Sequence, residues 1–240
     1  MRGGMLEISF SAGRVLRRVP WAIVVCGALA SVSCGSSTSD AFADPDVVGR
    51  EVNPEGVPYP TDHIGAAERT RSRPGDRIPN FTFQGYVNGD RSKLQTISLA
   101  DYYDPDRKHH RLLVLQFAAT WCAYCSSELT ETLRVKDELA AEGGVFLEVL
   151  VSGAKLQQGP SLDEAEQWMA RHNTTISMAI DVGARRVGRI GVDGSVMPWD
   201  ARIDTRTMEI LESSGGSPAD VAKYVREGLE FVNKNPAAVY

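Results

Sequence analysis

Apolar residues are grouped into separate runs after residue 75, and the spacing within each run predicts strands that alternate with helices. The run Leu112–Phe117 shows no regular alternation of apolar and polar positions, which is typical of a strand buried on both faces of a sheet. Between Cys125 and Glu142 the apolar residues recur at helical spacing, and Gly143 and Gly144 predict the end of that helix. The predicted strands cover residues 78–86, 95–99, 112–117, 145–152, 201–204 and 207–212, and the predicted helices cover 125–142, 161–172 and 218–233. This order of elements predicts an α/β layer structure.

The first 33 residues predict a secretory signal. Three arginines, at positions 14, 17 and 18, precede the apolar segment Val19–Ala30. That segment has twelve residues, fewer than the roughly twenty that a helix needs to span a bilayer. Small residues before Cys34 and the Gly/Ser-rich stretch after it resemble the signal of a bacterial lipoprotein, in which Cys34 carries the lipid. Cleavage by an ordinary signal peptidase after Ala30 is the alternative.

The amino-acid composition distinguishes a predicted tether, residues 34–74, from a predicted domain, residues 75–240. Residues 34–74 are rich in Ser, Asp, Pro, Gly and Arg and contain few paired apolar residues, which predicts a flexible tether with little fixed structure. Residues 75–240 have the length and the apolar content of one domain with a core of ordinary size.

The net charge of the chain limits the classes of function that the protein can have. The whole chain has a formal net charge of -5, and removal of residues 1–33 takes away four basic residues and one acidic residue, which leaves -8. Nucleic-acid binding needs a basic patch that neutralises phosphates, so the acidic balance argues against such a role. An exported protein also works in an oxidising compartment, where disulfide chemistry is the expected use of a cysteine pair.

The four cysteines form two groups, with Cys26 and Cys34 in the leader and Cys122 and Cys125 in the domain. The domain pair has two residues between its cysteines and stands where a predicted strand ends and a helix begins. This position favours a thiolate, because the N–H groups and the dipole of a helix N-terminus stabilise negative charge. The second sulfur, one turn further on, can attack a mixed disulfide formed by the first. A zinc site would need further ligands at short spacing, and the sequence provides none.

Three segments of the domain extend the pattern around this pair. The chain is similar to the thioredoxin superfamily, and within it to the exported, membrane-tethered thiol-disulfide oxidoreductases of the TlpA/ResA type. The segments that carry the resemblance are Gly75–Phe81, Ile97–Tyr102 and Leu115–Cys122. The resemblance implies a thioredoxin-like fold, with a central mixed β-sheet flanked by helices. It also implies chemistry without a metal or other cofactor.

The resemblance also implies roles for residues near the pair. Pro198 falls where the family has a cis proline facing the dithiol, and Met197 precedes it, so Trp121, Met197 and Pro198 are expected to contact the substrate. Gln116 stands where thioredoxin has a buried aspartate that helps to deprotonate the second cysteine. Glu128, one turn after Cys125, is a possible base, but we expect an exposed carboxylate there, because the first turn of a helix favours one.

These observations predict an enzyme, a thiol-disulfide oxidoreductase with Cys122 as the nucleophile and Cys125 as the resolving thiol. The resemblance implies the reducing direction, a thiol-type electron donor in the membrane, and clients among exported disulfide-containing proteins, apocytochromes c included. It places the protein in the bacterial cell envelope, on the periplasmic face of a membrane and held by its lipid.

Two alternatives use the same fold. A thiol peroxidase of the peroxiredoxin type would use Cys122 with Thr120 nearby, although Ala118 and Ala119 stand where that class needs other residues. A copper-delivery protein would add a histidine to the two cysteines. His172 is the candidate ligand, and we expect it to be a surface residue.

Overall fold

The computed structural model describes residues 49–64, 75–155, 158–182, 185–186 and 196–239. The predicted signal sequence and Cys34 lie outside these ranges. The strands are β1 (Thr82–Tyr86), β2 (Gln95–Ser98), β3 (Leu112–Ala119), β4 (Gly144–Ser152), β5 (Ser177–Ile180), β6 (Trp199–Asp204) and β7 (Glu209–Gly215). The α-helices with defined bounds are α1 (Ala123–Glu142), α2 (Leu162–His172) and α3 (Val221–Lys234).

Within the described ranges the strands form one mixed sheet in the order β2-β1-β5-β4-β3-β6-β7. The central strands β3, β4 and β5 are parallel, and the β1-β2 and β6-β7 pairs are antiparallel. Strand β1 is antiparallel to β5, and β6 is antiparallel to β3. The α/β class and the thioredoxin-like fold predicted from the sequence are therefore confirmed.

Strand β3 lies near the middle of the sheet and all eight of its residues are buried. Its apolar run therefore packs on both faces, as the missing alternation predicted. The chain then enters α1, for which Cys122 is the N-cap residue. The helix ends at Gly143, whose φ of 104° is in the left-handed region that glycine adopts without a steric cost. This strand-turn-helix unit positions the cysteine pair.

The two faces of the sheet carry separate apolar layers. Helices α1, α2 and α3 pack on one face, where even-numbered residues of β3 such as Leu112 and Val114 point. Odd-numbered residues of β3, such as Leu113 and Leu115, point to the other face. That second layer includes Tyr59, so residues before the predicted domain contribute to the core.

Residues 49–64, which the sequence assigned to the tether, pack against the domain. The buried Tyr59 hydroxyl donates a hydrogen bond to Ile78 O at 2.7 Å, and Asn53 Nδ2 donates to Tyr103 O at 3.0 Å. This stretch of the tether therefore has fixed structure. Among the described residues, no helix combines the length and the apolar character needed to cross a bilayer.

Strand β5 is an element that the sequence did not predict. Ser177–Ile180 is only four residues long, and the region was interpreted as a polar loop. Pairing decides its structure, because β5 lies between β4 and β1 and is buried throughout. The other elements match their predictions with shifts at their ends. Helix α2, for example, begins with the predicted capping box between Ser161 and Glu164.

Candidate functional site

Cys122 and Cys125 are joined by a disulfide at the point where β3 passes into α1. Their Cα atoms are 5.3 Å apart. The Cys125 backbone N–H donates to Cys122 Sγ at 3.1 Å, so the first sulfur takes the place of an N-cap oxygen. Cys122 is 6% exposed and Cys125 is 2% exposed, so Cys122 is the more exposed residue of the pair.

The loop before β6 faces the disulfide. The Met197–Pro198 peptide bond is cis, the geometry that the resemblance implies. Met197 O lies 3.5 Å from Cys122 Sγ. Pro198 O is already engaged, since it accepts a hydrogen bond from Gly216 N at 2.7 Å. Backbone atoms of Met197 are thus the ones that border the first sulfur.

Large exposed side chains lie at the end of the protein that carries the disulfide. Trp121 is 44% exposed and its Nε1 donates to Ser152 Oγ at 3.1 Å, while Tyr124 is 73% exposed and Val196 is 54% exposed. Trp199 is buried and stacks on Phe117 with ring centroids 4.9 Å apart. The exposed residues form an apolar rim, which we define as Trp121, Tyr124 and Val196. Sequence reasoning missed Val196, because nothing marks an isolated valine in a loop.

Polar side chains form a row across the centre of the sheet beneath α1. Gln116 on β3 is in register with Glu148 on β4 and with Asp200 on β6. All three are buried. Gln116 also exchanges hydrogen bonds with Thr132 of α1 at 3.3 Å, which places this row on the face that α1 covers.

Glu128 completes this cluster from the helix side, which corrects the sequence expectation of an exposed carboxylate. It is 4% exposed. Its position three residues after Cys125 turns it toward the sheet rather than toward solvent, where it meets the carboxyl of Asp200 and the amide of Gln116. The first-turn dipole argument failed because it considered the helix alone, without the face that the sheet covers.

Burial dominates the electrostatics of these acids. It raises the pKa of Glu128, and it raises the pKa of Asp200, to which the negative charge of Glu128 adds. It also raises the pKa of Glu148 to about 8, although Trp168 Nε1 donates to both Glu148 oxygens at 3.2 and 3.3 Å. Among the described residues, no Lys, Arg or His forms an ion pair with these three carboxyls. At pH 7 Glu148 is therefore mostly protonated.

A family model described as the AhpC/TSA family matches residues 74–210, more than half of the chain. The chain belongs to the AhpC/TSA family. Its members are thiol-dependent redox enzymes of the thioredoxin superfamily, so the predicted enzyme class is confirmed. No curated protein sequence matches the chain.

Solved structures agree with the family at the level of the fold. A secreted thiol-disulfide isomerase from Corynebacterium glutamicum has 20% identity and a TM-score of 0.51, over 66% of this chain and 87% of that chain. AhpC from Mycobacterium tuberculosis has 19% identity and a TM-score of 0.52, over 70% and 97% of the two chains. A protein from Chlorobium tepidum assigned to the DsbE thiol:disulfide interchange type has 18% identity and a TM-score of 0.52, over 67% and 98%.

Membership of the AhpC/TSA family is compatible with a peroxidase and with a thiol-disulfide oxidoreductase. The residues before Cys122 help to distinguish these two activities. Ala118 and Ala119 are buried at the end of β3, and Thr120, which follows them in the turn, is half-buried. The chain thus has a threonine near the first cysteine, but alanines precede it.

His172, the candidate copper ligand, contacts Ser126 in the first turn of α1 rather than the sulfurs of the two cysteines. Its Nε2 lies 3.2 Å from Ser126 Oγ, and its ring lies 4.4 Å from that of Trp168. It is half-buried instead of being a surface residue, and burial lowers its pKa. In the described part of the chain, no three His, Cys, Asp or Glu side chains are grouped as metal ligands.

Proposed function

We propose that the protein is a thiol-disulfide oxidoreductase that exchanges electrons with disulfides of exported proteins through Cys122 and Cys125. One observation carries the proposal, namely the disulfide between two cysteines at the N-terminus of α1 with the Met197–Pro198 loop against it. A bond between neighbours three positions apart closes a very short loop and constrains the unfolded chain little, which favours a catalytic role over a stabilising one.

The two sulfurs have different roles in this proposal. Cys122 caps α1 and is the more exposed residue of the pair, so its thiolate is stabilised by the helix N-terminus and attacks the client disulfide. The products are a mixed disulfide and one client thiolate. Cys125 then attacks Cys122 Sγ, which forms the intramolecular disulfide and releases the second client thiolate. A dithiol donor would reduce the pair for the next cycle.

An extended client segment fits the surroundings of Cys122. The backbone of Met197 borders the sulfur, and the apolar rim of Trp121, Tyr124 and Val196 is open to solvent. Trp121, Met197 and Pro198 would therefore contact the client. The TlpA/ResA resemblance supports the reducing direction, a membrane thiol donor, attachment through a lipid on Cys34, and apocytochromes c among the clients.

Trapping of mixed disulfides tests the two roles. Cys125→Ser should accumulate a covalent complex with a disulfide-containing peptide, because the attacking sulfur remains and the resolving one is lost. Cys122→Ser should give little complex, because Cys125 is the less exposed cysteine of the pair and does not cap α1. Non-reducing electrophoresis and mass spectrometry measure both variants side by side. Equal trapping by the two would contradict this assignment.

AhpC/TSA membership favours a second candidate, a thiol peroxidase. In that reaction the Cys122 thiolate attacks hydrogen peroxide, releases hydroxide and becomes a sulfenic acid, which Cys125 converts to the disulfide with loss of water. The alanines at 118 and 119 argue against it, since they offer peroxide no polar side chain. Turnover of hydrogen peroxide by the reduced protein, faster than its reaction with a peptide disulfide, would establish the peroxidase and displace the oxidoreductase.

A further inference from the structure

We propose that Glu128 and Asp200 share one proton and together accept the proton of Cys125 when that thiol resolves a mixed disulfide. This inference rests on the proposed oxidoreductase function and names the group that accepts a proton in the second step of that reaction. Glu128 is the member on the helix that carries Cys125, and Asp200 is a positioning residue that acts through Glu128. Neither the cysteine motif nor the position of Gln116 in the sequence assigns this role to Asp200.

The arrangement of the pair around the dithiol is the first support. Cys125 and Glu128 are three residues apart on α1 and both are buried, so their Cβ atoms are neighbours at about 5–6 Å. Asp200 is two residues after Pro198, on the strand that leaves the loop facing Cys122. The carboxyl pair therefore lies under the disulfide, between the helix and the sheet.

The hydrogen bonding of the pair is the second support. The carboxyls of Glu128 and Asp200 lie within hydrogen-bond reach of each other. The amide of Gln116 is near both carboxyls and the hydroxyl of Ser217 is near Glu128, but no donor in the described part of the chain makes a well-formed hydrogen bond to Glu128 Oε1 or to either Asp200 oxygen. Two buried carboxylates in contact repel each other, and a proton between them removes both problems. One proton shared by two acids is the state that this arrangement stabilises.

Among the described residues, the other ionisable groups around the pair provide no counter-ion for it. Tyr224 of α3 is also near the pair, and its buried hydroxyl has no hydrogen-bond partner in the part of the chain that the structure describes. From β6, Arg202 lies over the Tyr224 ring and pairs with Glu212. From β4, Glu148 is turned to Trp168 and keeps its own proton up to about pH 8. The proton of the pair is thus available for exchange rather than fixed by a cation.

The resolving step balances with this pair as acceptor. In the mixed disulfide, the Cys125 thiol transfers its proton to the singly charged Glu128–Asp200 pair, which becomes neutral. The Cys125 thiolate attacks Cys122 Sγ, the bond between Cys122 and the client sulfur breaks, and the client leaves as a thiolate. The pair then loses the proton to the client thiolate or to solvent. The client disulfide is the only oxidant in this sequence.

Reaction of the reduced protein with 5,5′-dithiobis(2-nitrobenzoate) separates the two steps in one stopped-flow trace. The first nitrothiobenzoate is released when Cys122 attacks, at a rate proportional to reagent concentration. The second is released when Cys125 resolves the mixed disulfide, at a rate independent of reagent concentration. Both rate constants are measured from pH 5.5 to pH 9.5.

We expect Asp200→Asn and Glu128→Gln each to slow the second phase at pH 7 by about tenfold or more, the lower range of general acid–base catalysis. The variant rates should then rise about tenfold per pH unit as hydroxide takes over, and approach the wild-type rate at high pH. The double variant should be no slower than either single one, because the two carboxyls act as a unit. The first phase should stay within about twofold, which also shows that the variants are folded.

Glu148→Gln is the matched control at pH 7, since it replaces a buried carboxyl of the same row that is uncharged at that pH by an uncharged amide and should leave both phases unchanged there. A second phase slowed equally at every pH in Asp200→Asn would overturn the proposal, as would independent, multiplying effects of the two substitutions. The proposed function fails in a different way: wild-type protein would release no nitrothiobenzoate in either phase.

Discussion

Replacement of Glu148 by Gln should make the stability of the oxidised protein less dependent on pH. Glu148 is a fully buried carboxyl in the middle of the sheet, held by hydrogen bonds from Trp168 Nε1 and without an ion pair among the described residues. Gln has nearly the same shape, and its Oε1 can accept the same hydrogen bond. The substitution therefore removes the ionisation of residue 148 and little else.

The sign follows from the two states of the chain. Burial raises the pKa of Glu148 from 4.5 to about 8 in the folded protein, whereas the unfolded chain ionises near the ordinary value. The folded state therefore holds a proton that the unfolded state has lost, and stability falls as pH rises from about 4.5 to 8. One unit of pKa difference corresponds to about 1.36 kcal/mol, so this loss is about 3 kcal/mol at pH 7. The Glu148→Gln variant has no such loss, because an amide does not ionise in this range.

Urea denaturation of the oxidised proteins at pH 5, 6, 7 and 8 measures the effect. The free energy of unfolding of Glu148→Gln should gain about 2–3 kcal/mol on wild type between pH 5 and pH 7. Glu51→Gln is the control, because it removes a carboxyl from the exposed surface and should run parallel to wild type. A constant difference between Glu148→Gln and wild type across this pH range would refute the reasoning.

Three further substitutions test other parts of the structure. Tyr59→Phe removes the hydroxyl that donates to Ile78 O at 2.7 Å and should lower the free energy of unfolding by about 1 kcal/mol in urea titrations. No change would mean that this hydrogen bond does not stabilise the folded state. Trp121→Ala and Tyr124→Ala should raise KM for a peptide disulfide several-fold and leave reaction with a small disulfide unchanged, because both side chains form the open rim. Equal losses of activity on the peptide and on the small disulfide would mean that these aromatic residues affect the reactivity of the dithiol rather than the binding of the client.

The sequence predicted the parts of the fold that local pattern controls. Strand β3 was identifiable because its run of apolar residues can only be buried on both faces. Helix α1 and its end at Gly143 follow from helical spacing and from the left-handed backbone that glycine allows. The cysteine pair was identifiable because its spacing and its place at a helix start both point to dithiol chemistry.

The rest depends on contacts between distant residues. Strand β5 is too short to show a period of its own, and its structure comes from pairing with two neighbours. Tyr59 is a core residue because of a contact with Ile78, 19 positions away, while its own surroundings in the sequence are typical of a tether. Glu128 has the sequence context of an exposed first-turn acid, and only the packing of α1 on the sheet buries it.

Asp200 places a carboxyl in the site from a different strand than the one that carries the buried aspartate of thioredoxin. Gln116 occupies the strand position where thioredoxin has its acid, and an amide there cannot accept a proton. Register places Asp200 directly across from Gln116 on the neighbouring strand, on the same face of the sheet. A side chain in a β-ladder lies about 5 Å from its cross-strand partner, so the carboxyl is displaced by one strand spacing and still reaches Glu128. Because the displaced acid meets a second one, the pair holds one proton in common, which a single buried aspartate could not do.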